Sequence, residues 1–250
     1  MFESTLVAQR QTTFDAYGET YDEALERGIS ATGEDRAYYA RGRIAWLARC
    51  LRRLGFRPRA VLDYGCGTGS ATPFFLELLG AERLVGVDVS ARCLERAREA
   101  HGSDRCRFLS VDAHDPSSRV DLTFSNGVFH HIRPADRPAA VAYIFQSLRP
   151  GGLFAFWENN PWNPGTAYVM SRIPFDESAI TLVPSEGKQL LIAGGFEVVR
   201  TDFLFIFPRA LRWVRIVEPF ATWLPLGAQY QILCRKRRRP SSASGHGTRS

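Results

Sequence analysis

The sequence predicts an α/β chain built on a seven-stranded, mostly parallel sheet with helices on both faces. Three observations carry that reading. Short apolar runs alternate with amphipathic stretches of helical period along residues 60–236. The first apolar run ends in an acid and a glycine-rich turn, Asp63-Tyr64-Gly65-Cys66-Gly67-Thr68-Gly69. The second, Leu84-Val85-Gly86-Val87-Asp88, also ends in a carboxylate. Strands alternating with helices build parallel sheets, because a crossover helix returns the chain to the same edge.

Each element follows in order. Ala60 to Leu62 reads as a buried strand, and Ala71 to Leu79 as a helix with Pro73 in its first turn. Between them, the glycines let the backbone pass close beneath a ligand, where a side chain would occupy the ligand's space. Ser90 is the N-cap of a helix running through Ala100, Arg107 to Val111 is the third strand, and Val120 to Ser125 the fourth. The next helix puts Val141, Ile144, Phe145 and Leu148 on one face and stops at Arg149-Pro150-Gly151-Gly152. Leu153 to Trp157 is the fifth strand, with Phe196 to Phe207 and Ala228 to Cys234 the sixth and seventh. Ahead of the sheet, Ile44, Leu47, Leu51 and Leu54 mark a helix from Arg36 to Leu54, closed by Gly55 and Pro58.

The turn itself narrows the ligand. In a nicotinamide site the third glycine comes one residue later, and a pyrophosphate sits on the helix N-terminus. Asp63 would repel a phosphate but suits a ligand carrying an ammonium and a sulfonium. Asp88, 19 residues past Gly69, is placed to accept ribose hydroxyls.

With its acidic-x-Gly-x-Gly-x-Gly run, the acid at Asp88 and the segment Leu148-Arg149-Pro150-Gly151-Gly152-Leu153, the chain resembles the class I S-adenosylmethionine (SAM)-dependent methyltransferases. The resemblance covers residues 60–236 and implies a Rossmann-like sheet whose last strand is antiparallel. It implies SAM as cofactor, with Asp63, Gly65, Gly67, Asp88, Val89 and Asn126 around it, and Asp112 with Ala113 at the adenine. The alternative for Asp112, placed behind the adenine reading, is a turn acid before Pro116. Phe14 to Asp22 resembles the N-terminal opening of small-molecule members, where an aromatic residue closes over the cofactor. Tyr17 or Tyr21 would be that residue, and Arg41 or Arg43 would meet the methionine carboxylate. Simple packing and solvated faces are the alternatives.

His130 and His131 follow the fourth strand at the edge facing the cofactor and are the first and second candidates for a general base on a hydroxyl acceptor. Glu158 is a third. Glu158, Asn159 and Trp162 open an insert, 158–183, that leaves the fifth strand where open sheets hold substrates. No metal is expected, because adjacent histidines point in different directions on a helix or a strand. A second insert, 208–227, mixes Trp213, Ile216, Phe220 and Trp223 with Arg209, Arg212 and Arg215. It reads as a cap over a hydrophobic substrate or a homodimer contact, and its prolines weigh against a membrane-surface helix.

Composition bounds the rest. The chain has 250 residues, 45% of them hydrophobic, and a net charge of +6. Six of its 32 basic residues fall in 235–250, a segment without acids, which leaves 26 basic and 26 acidic residues elsewhere. The expected layout is an N-terminal helical cap (1–58), one domain (59–236) and a disordered basic tail (237–250) that solubilises or touches acidic lipid or RNA. A neutral body lacks the basic groove of a nucleic-acid enzyme. The family's members that methylate amino groups of bases carry Asn-or-Asp-Pro-Pro-aromatic where this chain has Asn126-Gly127-Val128-Phe129. No apolar run reaches a membrane span of about 18 residues or more. Five cysteines without a paired motif suggest a reduced cytoplasm. The reading is therefore SAM-dependent O-methylation of a small molecule. The alternatives are non-methyl chemistry, such as elimination or cyclisation, and a non-catalytic SAM-binding scaffold.

Overall fold

The computed structural model describes residues 21–177 and 179–237. Tyr17 and the tail from residue 238 lie outside them, as does the side chain of Tyr21. The elements are α1 (Tyr21–Ile29), α2 (Arg36–Arg53), β1 (Ala60–Tyr64), α3 (Thr72–Leu79), β2 (Arg83–Asp88), α4 (Ala91–His101), β3 (Cys106–Ser110) and β4 (Val120–Asn126). There follow α5 (Arg137–Ser147), β5 (Leu148–Asn159), α6 (Pro164–Met170), α7 (Pro184–Ala193), β6 (Phe196–Leu204), α8 (Glu218–Ala221) and β7 (Gln229–Lys236).

The seven strands form one sheet in the order β3-β2-β1-β4-β5-β7-β6. β1 to β5 pair in parallel, and β7 runs antiparallel to both β5 and β6. Side chains alternate across the pleat, so the strands feed two cores. On one face Val61, Leu84, Leu122 and Trp157 pack with Ile44 and Leu47 of α2, Phe75 of α3 and Leu94 of α4. On the other, Leu62, Phe154 and Phe156 pack with Val141 and Ile144 of α5 and Leu191 of α7. Leu153 to Trp157 are fully buried, as a strand covered on both faces must be, and each large side chain contributes about 2 kcal/mol.

Boundaries differ from the sequence expectation most at the start of β5 and the end of β6. α5 ends at Ser147, and Leu148 to Gly152 already belong to β5 rather than to a stop between helix and strand. Leu148 pairs with Val120 and the ladder resumes at Leu153 opposite Leu122, so Arg149 to Gly152 form an irregularity between two paired positions. β6 ends at Leu204, where Phe205 turns the chain with φ of 63°.

The order puts β1 between β2 and β4, so the chain departs in opposite directions from neighbouring strands there. The carboxyl ends of β1, β2, β4 and β5 thus open one crevice along the same sheet edge.

Candidate functional site

Gly65 leaves β1 with φ of 75°, a conformation that costs an L-residue energy, and a Cβ there would lie 2.2 Å from Val128 Cγ2. Glycine is therefore required twice over. The turn is tied to β2 from both sides: the Gly65 and Cys66 N–H groups donate to the Val87 carbonyl, at 2.8 and 3.0 Å. Gly67 N–H donates to Asp88 Oδ2 (2.8 Å) and Ser90 N–H to Asp88 Oδ1 (2.9 Å). The Asp88 carboxylate is thereby fixed at the tip of β2 with its outer face toward a cleft of about 130 Å³. Tyr64, Val89, Cys93, Val111, Val128 and Ile132 give that cleft apolar walls.

Asp63 lies one residue behind the turn and is only 3% exposed. Burial, and then the neighbouring Asp88 charge, push its carboxyl up to about 7, with Arg43 pulling the other way. Burial likewise raises the Cys66 thiol, which suits a packing role and not a nucleophile.

A second cavity of about 400 Å³ opens beside the first, and Gly65, Gly67, Asn126, Gly127 and His131 line both. Its remaining walls come from α1 and α2, from the segment after β5 and from Phe205 to Pro208. Arg36 and Arg43 bring two guanidinium groups to it, beside apolar Leu25, Ile29, Val169 and Ile173. Arg36 Nη2 donates to Thr68 Oγ1 (3.1 Å) and Arg43 Nη1 to Gln229 Oε1 (2.9 Å).

The histidine pair does not diverge as its adjacency suggested. Phe129 to His131 form a 3₁₀ turn, tighter than an α-helix, and the two rings stand 4.1 Å apart between centroids. His130 Nε2 and His131 Nε2 lie 3.5 and 3.3 Å from one oxygen, Asp176 Oδ1, carried by a second 3₁₀ turn, Pro174 to Asp176. On its far side, His130 Nδ1 is 2.6 Å from Glu158 Oε2, while Glu158 Oε1 accepts from Phe129 N–H at 2.7 Å. Arg137 clamps the arrangement. Its Nε donates to the Phe129 and Ile132 carbonyls and its Nη2 to the Ile180 carbonyl, and Ile180 N–H returns a bond to the His130 carbonyl.

Charge follows from this packing. Burial opposes a proton on His130, but Glu158 and Asp176 outweigh it and hold the imidazolium up to about 10. His131 is pushed the other way, by burial first and by the charge on His130, with Asp176 resisting. Burial also acts against the Asp176 carboxylate, yet its bonds to both histidines keep it below the usual range.

Several expected positions shift accordingly. Glu158 is not a substrate wall: at 1% exposed it is a buried strut beneath His130, because β5 carries it into the sheet edge before the insert begins. Trp162 stands outside the cavity, half exposed and stacked on Phe203. Asn159 does line the larger cavity, its Oδ1 accepting from Gln229 Nε2 (3.0 Å). Asp112 and Ala113 are exposed and do not line the smaller cleft, whereas the preceding Val111 does. Arg41 pairs with Glu77 on the outer surface (3.2 Å), leaving Arg43 as the inward guanidinium. Within the 208–227 insert, Trp213, Ile216, Phe220 and Trp223 are exposed, so only its first residue, Pro208, reaches the cavity. Asp176, Arg137 and Val128 were missed. No local pattern marks them, since each acts through partners distant in sequence.

Residues 61–152 match the family model described as a methyltransferase domain. Among curated proteins, trans-aconitate 2-methyltransferase of Azoarcus sp. (strain BH72) is 36% identical over 114 residues, 46% of this chain and 44% of that protein. An uncharacterized methyltransferase of Synechocystis sp. is 29% identical over 157 residues, 60% of this chain and 73% of its own length. The match thus spans less than half of the first relative. Among solved structures, a SAM-dependent methyltransferase from Mesorhizobium loti superposes with a TM-score of 0.55 at 20% identity, covering 75% of this chain and 96% of that one. One from Archaeoglobus fulgidus gives 0.54 at 17%, covering 77% and 94%.

The smaller cleft fits the cofactor of that family. Its apolar walls suit an adenine, and the fixed Asp88 carboxylate suits the ribose hydroxyls. At the junction with the larger cavity, Asn126 Oδ1 is buried without a hydrogen-bond partner among the described residues, an acceptor that an ammonium group would satisfy. The sheet order, the glycine turn braced on Asp88 and the matched segment agree: residues 61–152 are similar to a methyltransferase domain, set in the fold of the SAM-dependent methyltransferases named above.

Proposed function

We propose that residues 59–236 transfer the methyl group of SAM to an oxygen of a small molecule held in the larger cavity. The observation that carries this reading is the shared wall. Gly65, Gly67, Asn126, Gly127 and His131 border both cavities, so a group anchored in one meets a molecule in the other without crossing solvent. SAM supplies, when bound, a methyl group already activated on a sulfonium for in-line displacement.

The chain's own residues then have three tasks. Asp88 and the glycine turn hold the nucleoside, and Asn126 with the buried Asp63 favours the cationic end. The mixed walls seat an acceptor with an apolar body, and Arg36 and Arg43 suit an anionic group at its edge. His131, backed by Asp176, faces the acceptor oxygen. His130 is better read as a positioning residue, because its ring is locked between two carboxylates and strongly holds its proton. Five buried, unpaired cysteines fit a reducing cytoplasm, and no helix among the described residues is long and apolar enough to cross a membrane.

The test is formation of S-adenosylhomocysteine from SAM by the purified chain across hydroxyl and carboxylate acceptors, trans-aconitate among them. Acceptor-dependent product, with the methyl group recovered on oxygen and lost in Asp88→Ala, is the expected result. Tight SAM binding without demethylated product on any acceptor would favour the scaffold reading.

A further inference from the structure

We propose that His130, His131 and Asp176 form a binding site for a divalent transition cation of the zinc type, open to the larger cavity. The three side chains come from two segments more than forty residues apart in sequence, yet their donor atoms converge. One ligating atom from each lies within 4.8 Å of the other two. The separations from Asp176 Oδ1 are 3.5 Å to His130 Nε2 and 3.3 Å to His131 Nε2. A four-coordinate cation with bonds of about 2.0–2.1 Å spaces its ligands about 3.4 Å apart, so both edges match a tetrahedral site.

The surroundings of the donors point the same way. A histidine that ligates a metal through one ring nitrogen commonly gives the other to a carboxylate, which fixes the ring and its tautomer. His130 does this with Glu158, at 2.6 Å, and Glu158 is itself held by Phe129 N–H. Arg137 and the Ile180–His130 backbone bond lock the two ligand-bearing turns against each other, so the donors need little rearrangement. Two imidazoles and one carboxylate suit zinc, cobalt, nickel or iron(II) and disfavour magnesium and calcium, which take oxygen donors. All three residues line the larger cavity, so the fourth position faces whatever that cavity holds.

The consequence for chemistry rests on the methyl-transfer reading, whereas cation binding itself does not. A hydroxyl, enol or carboxylate oxygen of the acceptor is the ligand class for the fourth position. A divalent cation there favours the ionised, nucleophilic form of such an oxygen at neutral pH.

The experiment is titration of the full chain, stripped by a chelator, with Co²⁺ while recording its visible spectrum, followed by displacement with Zn²⁺. One Co²⁺ per chain is expected, with the intense d–d bands of four-coordinate cobalt and no thiolate charge-transfer band. The latter separates this site from cysteine ligation. Asp176→Asn should lose at least a hundredfold in Co²⁺ affinity while binding SAM as the unaltered chain does in calorimetry. Glu158→Gln should lose about 10–100-fold. A chain that is folded and binds SAM but takes up neither Co²⁺ nor Zn²⁺ would overturn the proposal and leave the cluster as an ion-pair network. So would an Asp176→Asn variant binding Co²⁺ as tightly as the unaltered chain. Stoichiometric Co²⁺ binding without methyl transfer to any acceptor would support the metal site and count against the transfer reading alone.

Discussion

Replacing Asp63 by asparagine should stabilise the cofactor-free protein more at pH 8 than at pH 5. Asp63 is 3% exposed, and burial together with Asp88 moves its carboxyl from 3.8 to about 7. At about 1.4 kcal/mol per pH unit, that displacement corresponds to about 4 kcal/mol at most. The sign follows from linkage. The folded chain holds this proton more tightly than the unfolded chain does, so stability falls as the pH rises from about 4 to about 7 and the full penalty stands above that. Asparagine has the same shape and never ionises, so the variant escapes the penalty. Asp88, Arg43 and Cys66 are the charged or titratable groups that interact with this carboxyl. They remain in both proteins, and the difference between the two isolates Asp63. Urea unfolding of both forms at pH 5, 6, 7 and 8 is the assay. The unaltered chain should lose stability relative to Asp63→Asn across that range, by about 2–4 kcal/mol. SAM affinity should move oppositely, rising with pH only where the aspartate is present, because an ionised carboxylate favours a cationic ligand. Parallel stability curves for the two proteins would refute the reasoning.

Further outcomes follow from the same geometry. Asp88→Ala removes the acceptor fixed by Gly67 and Ser90, and at about 1.5–3 kcal/mol per charged hydrogen bond it should weaken SAM by tenfold or more in calorimetry. Gly65→Ala places a Cβ 2.2 Å from Val128 Cγ2 at a positive φ, so it should lower both melting temperature and SAM affinity. Adding Val128→Ala should recover the steric part only; full recovery would show that backbone conformation does not matter there. Arg137→Leu removes the guanidinium from the Phe129, Ile132 and Ile180 carbonyls, of which Phe129 keeps Ile132 N–H, and should cost about 3 kcal/mol or more in urea unfolding. Hydrogen exchange should also quicken at Ile180, and unchanged protection would argue against the clamp. If the exposed Trp213, Ile216 and Phe220 face carries a homodimer, sedimentation should show association that Trp213→Glu with Phe220→Glu abolishes. A monomer at every concentration would retire that expectation.

The strand–turn–helix units, the sheet class and the glycine turn were legible in the sequence, because each is written in local terms. Period-two and period-3.6 patterns report which face is buried, and the glycines at 65, 67 and 69 report a backbone that side chains would block. The carboxylates at Asp63 and Asp88 were legible for the same reason, each closing an apolar run at the end of its strand. Only the tertiary structure decided what lies across the cavity. His130 and His131 meet Asp176 because two 3₁₀ turns are clamped together by Arg137, and Glu158 is drawn under His130 by the end of β5. Such convergence depends on contacts between segments that share no periodicity. For the same reason, pattern alone could not tell that Trp162 and Trp213 face outward while Phe205 and Phe207 line the cavity.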